Sequence, residues 1–353
     1  MTKPIITRFP PSPTGYMHIG NVRSCLYGWL AAKQTNGKII LRIEDTDKVR
    51  EVPDGVAIIN ETFNKLGLDW EEEYLQSERL DIYREWAQKL YDKGLAYADT
   101  YTMQEVDTFR ERAKTEKQPF LYRNHRPSQQ VAWEYGKQPL RLKSSPKRRD
   151  WIDEVRGKLS AGPESQDDFI LIKSDGYPTY NFAHIIDDYL MGITHIFRAD
   201  EFISSTPNYL NLYEALEIEP PKIVTLPPIL APTGTKKLGK RDGAKSALEY
   251  LADGYLPDAL LSFLALLGWN DGTEQEVYSR QELIEKFSIE RIGKSGARYD
   301  EQRLNWTNGH FIREMPLDAL YEQVLNFWPE EATTFDDTYK KQVLGLVQER
   351  LKY

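Results

Sequence analysis

Apolar and polar positions group into alternating strand and helix patterns along the first hundred residues. Ile5–Phe9 is a short apolar run that predicts a strand. Asn21–Gln34 predicts a helix, with Val22, Cys25, Leu26, Trp29 and Leu30 at helical spacing. Gly37 ends it, and Lys38–Glu44 predicts a second strand. Val56–Leu66 and Arg79–Tyr91 predict amphipathic helices. This order favours a parallel, doubly wound sheet. Residues 100–168 are polar and basic and lack regular periodicity, so no element is predicted there. The α/β pattern resumes with Phe169–Lys173 (strand), Tyr180–Leu190 (helix), Thr194–Arg198 (strand), Ser204–Leu216 (helix) and Ile223–Leu226 (strand). The signals then turn helical: Ala247–Leu251, Pro257–Leu267, Arg280–Phe287, Leu317–Phe327 and Tyr339–Tyr353, the last running uncapped to the chain end. The fold class is therefore α/β, a Rossmann-like doubly wound parallel sheet split by an insertion and followed by a mainly helical region.

Composition narrows the class. The 353 residues are 40% hydrophobic and 28% charged, which supports buried cores and two or three domains. No apolar run approaches the ~20 residues that span a bilayer. The first residues carry neither a signal-peptide core nor an Arg/Ser-rich presequence. The expectation is a cytoplasmic protein with no membrane partner. The single cysteine, Cys25, excludes an intrachain disulfide and a Cys-pair zinc site. Net charge is −8, but Arg110–Arg149 holds twelve Lys/Arg against three Asp/Glu, a local +9, so the remainder carries −17. An acidic chain with one basic segment suits a polyanion held at one place.

Two loops carry candidate chemistry. Phe9-Pro-Pro-Ser-Pro-Thr-Gly-Tyr-Met-His-Ile-Gly-Asn21 follows a strand and opens a helix, where doubly wound folds bind ligands. Gly15 and Gly20 allow close backbone approach, and His18 sits where an imidazole can donate to a phosphate oxygen. Lys236-Lys-Leu-Gly-Lys-Arg-Asp-Gly-Ala244 is a basic, glycine-punctuated loop suited to stabilising charge on a phosphate in transfer.

Together these residues resemble the signatures of class I aminoacyl-tRNA synthetases: Pro11-Ser-Pro-Thr-Gly with His18-Ile-Gly-Asn21, and Lys237-Leu-Gly-Lys-Arg241. Further motifs resemble the glutamyl branch. They are Thr7-Arg-Phe-Pro-Pro-Ser-Pro-Thr-Gly15, Arg42-Ile-Glu-Asp-Thr-Asp47, Gln76-Ser-Glu-Arg79, Ser174-Asp-Gly-Tyr-Pro-Thr-Tyr180, Asp187-Asp188, Gly192-Ile-Thr-His195 and Trp306-Thr-Asn-Gly309. The likeness to the glutamyl-tRNA synthetase family runs from about residue 4 to about residue 315.

The resemblance implies ATP-dependent activation of L-glutamate and transfer to the 3′ end of tRNA(Glu), with tRNA(Gln) left open. It implies His18, Lys237 and Lys240 as the groups that stabilise the phosphate in flight. Arg8, Ser12, Glu44, Tyr180, His184 and Arg198 would bind glutamate: arginine forks for a carboxylate, Glu44 for the ammonium. Pro11, His18, Gly20, Asn21, Glu201, Leu230, Lys237, Leu238 and Lys240 would line the ATP site, with Mg2+ entering on the nucleotide and no zinc. Arg110, Arg112, Lys114, Lys117, Arg123, Arg126, Lys143, Lys147, Arg148 and Arg149 become candidate tRNA phosphate contacts in an acceptor-binding insertion. The implied division is a catalytic domain at 1–99 and 169–220, the insertion at 100–168, a stem-contact region at 221–315 and the start of a helical anticodon-binding region at 316–353. The implied state is a monomer.

Four departures from the family pattern matter. The insertion lacks the zinc-binding cysteines of some relatives, and His184 stands where relatives vary. Gly239 stands where the second signature usually has serine. The family's helical anticodon-binding region barely begins, which reads as a truncated fragment. The alternatives are a paralogue that glutamylates a queuosine-type tRNA base, a glutaminyl enzyme, and a catalytically silent tRNA-binding module.

Overall fold

The computed structural model describes residues 3–129, 131–239, 242–243 and 245–353. Strand β1 (Ile6–Phe9) leads into helix α1 (Ile19–Gln34), then β2 (Lys38–Ile43), α2 (Gly55–Leu66) and β3 (Glu72–Leu75). The three strands pair in parallel in the order β1-β2-β3, with Ile6 opposite Lys38 and Ile40 opposite Glu72. Parallel pairing demands crossovers, and α1 and α2 supply them. The helix begins at Ile19, two residues before the predicted start, because the buried Ile19 side chain joins the core and His18 caps the turn.

Helix α3 (Leu80–Asp92) and β4 (Ala96–Ala98) lead into the segment where no element was expected. It contains α4 (Met103–Thr115), β5 (Leu140–Leu142), β6 (Arg149–Asp153) and β7 (Gly157–Ala161), with β8 (Ile170–Ile172) following. Helix α4 starts from a capping box: Thr102 Oγ1 accepts from Glu105 N–H, and Glu105 reaches back to Thr102 N–H. Its apolar stripe is thin, with only Val106 buried, which is why periodicity misses it. Strands β4, β5 and β8 form an antiparallel sheet.

Next come α5 (Tyr180–Leu190), β9 (His195–Ala199), α6 (Thr206–Leu216), β10 (Lys222–Leu226) and β11 (Ile229–Leu230). Strand order in the second half is β7-β6-β10-β9, so the β6–β7 hairpin extends the nucleotide-type sheet through parallel β6 and β10. The halves meet where Thr194 N–H donates to Ile6 O and Ile6 N–H donates to Thr194 Oγ1, both at 2.9 Å. This places the carboxyl ends of β1 and β9 side by side.

The remainder is α7 (Ala247–Ala252), α8 (Pro257–Leu266), α9 (Arg280–Lys286), β12 (Ala297–Arg298), α10 (Glu301–Glu314), α11 (Leu317–Gln323) and α12 (Asp337–Val347). One apolar core gathers α1, β2, α8 and Trp269; a second gathers α3, α5 and α6. The predicted helix to residue 353 is corrected: α12 stops at Val347, and the tail folds back. Asn308 Nδ2 donates to Lys352 O at 2.8 Å, and the Tyr353 ring stacks on Tyr255 at 5.2 Å. No helix among the described residues is long and apolar enough to cross a membrane.

Candidate active site

The loop after β1 delivers His18 to the N-terminus of α1. His18 is extended (φ −70, ψ 146), and its Nδ1 accepts the Gly20 N–H at 3.1 Å. In the neutral ring that leaves the proton on Nε2, making Nε2 the donor nitrogen. A Cβ at residue 20 would lie 3.3 Å from His18 Nδ1, so glycine there leaves room for the ring. Asn21 is exposed on the same turn.

Residues more than 200 positions later reach this turn through backbone pairing. Ala231 N–H donates to Lys236 O and Leu238 N–H to Ile229 O, each at 2.8 Å, forming a tight hairpin. Leu238 is buried and anchors it, while Lys237 Nζ pairs with Glu201 Oε2 at 2.5 Å on the exposed side. The chain then returns so that Ser246 bridges His18 and Ala247 N–H donates to Met17 O at 3.1 Å. Leu230 is half-buried, with its carbonyl held by Tyr299 N–H at 3.0 Å. Lys240, Arg241 and Ala244 lie outside the described residues.

Gly239 has no steric reason to be glycine. A Cβ there would meet Asp242 Oδ2 at 3.5 Å, an ordinary contact, and its φ is not positive. Gly239→Ser is therefore expected to fold normally, with a thermal midpoint within about 2 °C of wild type. The amino-acid activation that the resemblance implies, read by pyrophosphate exchange, should be equal or higher in rate; a large fall would contradict this role for the loop.

Beside the His18 turn is a buried charged floor. Arg8, on β1, donates Nε–H to Asp188 Oδ1 at 2.9 Å. Arg42, on β2, donates to the same oxygen at 2.6 Å and to Glu44 Oε1 at 3.0 Å. Asp187 accepts from Gln76 Nε2 (2.9 Å), Arg79 Nε (2.9 Å) and Tyr83 Oη (2.7 Å). Arg42, Asp187 and Asp188 are fully buried, and Arg8 and Glu44 nearly so. Backbone fixes Glu44 too, its N–H donating to Pro11 O at 2.8 Å. Ser12 is exposed at the rim.

Helix α5 and strand β9 close the other wall. Arg198 is buried, donates to Thr206 Oγ1 at 3.2 Å and lies over the Tyr209 ring at 5.4 Å. His184 stacks on Tyr180, with ring centroids 4.7 Å apart, and donates Nδ1–H to the Tyr180 carbonyl at 2.7 Å. Burial drops the His184 pKa to about 3, so the ring is neutral. Two arginines and one carboxylate converging on a buried floor suit a ligand bearing both carboxylate and ammonium groups.

Glu44 sets a pH dependence. Burial pushes its carboxyl up to about 7, against the opposing pull of Arg42 and Arg8. Below that pH the folded protein holds Glu44 protonated, and an ammonium loses its partner. Amino-acid affinity should therefore strengthen as pH rises through about 7 and weaken up to about tenfold per unit below it. Titration of the amino-acid KM across pH 5.5–8.5 checks this; a flat profile would remove Glu44 from the role.

The structure separates the basic candidates. Arg110, Arg112 and Lys114 are exposed on α4, paired with Asp107 (2.9 Å), Glu116 (2.9 Å) and Glu111 (3.8 Å). Lys117 and Lys143 are exposed. Lys147 and Arg148 are exposed and paired with Glu214 (2.5 Å) and Asp150 (3.2 Å). Three of the candidates are engaged within the fold. Arg149 is buried, bound to Gln166 Oε1 at 2.9 Å and to Glu214. Arg126 grips Asp168 with two hydrogen bonds, at 2.6 and 2.8 Å, and Arg123 donates to the carbonyls of Pro163 and Gln166. These guanidiniums serve the protein's own packing. Tyr122 and Trp133 are likewise buried, while Arg141 lies 3.4 Å over the Tyr122 ring.

Sequence motifs flagged Arg42, Gln76, Arg79, Asp187 and Asp188 but gave them no role. Their joint function as supports of Arg8 and Glu44 emerges only in three dimensions.

Comparison with known proteins gives the family. A family model described as tRNA synthetases class I (E and Q), catalytic domain, matches residues 4–306. The chain is 41% identical to glutamate–tRNA ligase 1 of Caldanaerobacter subterraneus subsp. tengcongensis, covering 100% of this chain and 75% of that protein. It is 43% identical to a glutamate–tRNA ligase of Clostridium botulinum, covering 96% of this chain and 73% of that one. Among solved structures, a glutamate tRNA ligase from Elizabethkingia meningosepticum in complex with its amino acid superposes with a TM-score of 0.90 at 31% identity. That match covers 99% of this chain and 78% of the other. On that family match and those identities, the chain belongs to the glutamyl and glutaminyl branch of the class I tRNA synthetases.

Proposed function

We propose that this chain is a glutamate–tRNA ligase. A carboxylate oxygen of L-glutamate attacks the α-phosphorus of ATP; the bond to pyrophosphate breaks and glutamyl-adenylate forms. A 3′-terminal ribose hydroxyl of tRNA(Glu) then takes the glutamyl group and AMP leaves. Positioning and electrostatics carry the first step, as in other displacements at phosphorus.

The observation that carries this reading is the placement of Arg8, Arg198 and Glu44 around one buried floor beside the His18 turn. In this reading the arginines hold the glutamate side-chain carboxylate and Glu44 holds its ammonium. Tyr180, His184 and Ser12 border the substrate. His18 and Lys237, with Lys240, stabilise the phosphate in flight. Mg2+ enters with ATP, held mainly by phosphates and water. Among the described residues no three His, Cys, Asp or Glu side chains are grouped to hold a metal.

We assign residues 100–168, apart from the β6–β7 hairpin that joins the nucleotide-type sheet, as the acceptor-end insertion, with Arg110, Arg112, Lys114, Lys117, Lys143, Lys147 and Arg148 as its phosphate contacts. Residues 221–315, apart from β10, which pairs within the catalytic sheet, are assigned to stem contact and 316–353 to the start of the anticodon-binding helices. The enzyme acts as a cytoplasmic monomer. ATP–pyrophosphate exchange is the test: it should depend on glutamate and on tRNA. Exchange driven equally by glutamine, or none with glutamate and tRNA, would overturn the reading.

A further inference from the structure

Three motifs, in which Glu44 alone carried a role in the sequence, meet in one network. Arg42-Ile-Glu-Asp-Thr-Asp47 supplies Arg42, Glu44 and Asp45; Gln76-Ser-Glu-Arg79 supplies Gln76, Ser77 and Arg79; the Asp187-Asp188 pair lies between them. Asp45 Oδ1 accepts the Ser77 N–H at 2.8 Å, tying the first motif to the second. Asp187 accepts from Gln76 and Arg79, and Asp188 accepts from Arg8 and Arg42. Adjacent aspartates on α5 thus divide the work: Asp187 secures the scaffold and Asp188 faces the two arginines nearest the amino-acid floor.

Asp188 is the unusual member. It is fully buried, and a single oxygen, Oδ1, takes both arginine bonds. Its Oδ2 and Arg8 Nη1 are buried with no hydrogen-bond partner among the described residues. Burial alone would favour the neutral acid, yet Arg8 and Arg42 hold the group ionised. The Nε bond leaves Arg8 little freedom to swing, because a guanidinium is planar and its orientation follows from one fixed edge.

We propose that Asp188 is a positioning residue that sets the choice of glutamate over glutamine by locking the Arg8 fork. The inference rests on the proposed glutamate reading. A guanidinium offers only donors. Held still, it matches the two acceptor oxygens of a side-chain carboxylate and opposes the NH2 of glutamine, donor against donor. Released, it can turn toward the amide oxygen alone. Selection by a repulsive contact needs a rigid partner, and Asp188 supplies the rigidity.

The experiment compares wild type with Asp188→Asn, near-identical in shape but uncharged, by tRNA-dependent pyrophosphate exchange. The KM for glutamate should rise roughly tenfold to hundredfold, the range for a lost hydrogen bond to a charged group. Loss of binding alone leaves kcat within about threefold and the ATP KM unchanged. The glutamate-to-glutamine ratio of kcat/KM should fall. A structural role alone would lower kcat and disturb both KM values while preserving that ratio, and this outcome overturns the inference. So does an unchanged glutamate KM.

A second measurement needs no substitution. The Arg8 Nε–H of the free wild-type protein, followed by nitrogen-15 NMR, should be protected from solvent exchange before glutamate is added. Free exchange that becomes protected only with glutamate would overturn the inference. Absence of any glutamate-dependent ATP–pyrophosphate exchange in wild type would instead overturn the functional reading beneath it.

Discussion

Replacing His18 with alanine is expected to lower the rate of adenylate formation by about 10²–10³-fold, the usual cost of deleting one preorganised donor to a developing anion. Two effects are combined in that substitution. His18 is also the N-cap of α1, its Nδ1 accepting the Gly20 N–H. Losing a cap costs about 0.5–2 kcal/mol of stability. His18→Asn separates them. Asparagine is among the best N-caps, so the thermal midpoint should recover while the rate does not. Pyrophosphate exchange and thermal unfolding, measured on both variants, check this. Full rate recovery in His18→Asn would make His18 a structural cap alone.

The second large effect is on the fold. Arg42→Met should destabilise the protein by about 3–5 kcal/mol, the cost of breaking a buried ion cluster from one side. Burial works against the Arg42 charge, yet Asp188, Glu44 and Asp187 overcome it and raise its pKa well above the ordinary value. Methionine would leave those carboxylates facing one another in a site closed to water. By contrast, Arg112→Ala removes only an exposed helical pair and should leave the urea midpoint unchanged. Urea unfolding of both variants measures the difference.

The cluster also sets an acid limit. Burial opposes the Asp188 charge, but Arg8 and Arg42 dominate and hold its carboxyl down at about 2, from an ordinary 3.8. A depressed carboxylate contributes stability above its unfolded value. That share is present above pH 3.8 and fades as pH falls toward 2.

The parallel sheet was legible in the sequence because buried parallel strands read as apolar runs, as in Lys38–Ile43. Strand β3 was missed for the complementary reason: Glu72 and Glu73 are charged, which an edge strand tolerates. Helix α10 was missed although Asp300 caps it by accepting from Gln302 and Arg303 N–H. In the site, Arg8, Glu44 and Arg198 were readable from motifs. Their supports were visible only as words, because Asp188 meets Arg8 across 180 positions and Arg42 across 146. Charge counting had the same weakness. It marked Arg149 as part of a basic surface, while its partner Glu214, 65 positions away, draws it into the fold.

The most direct test of the whole account is charging of a total tRNA pool by this chain, with radiolabelled glutamate and glutamine compared. The account predicts label from glutamate esterified to the 3′-terminal nucleoside. Preferential charging of glutamine, glutamate attached elsewhere on the tRNA, or no charging at all would contradict it.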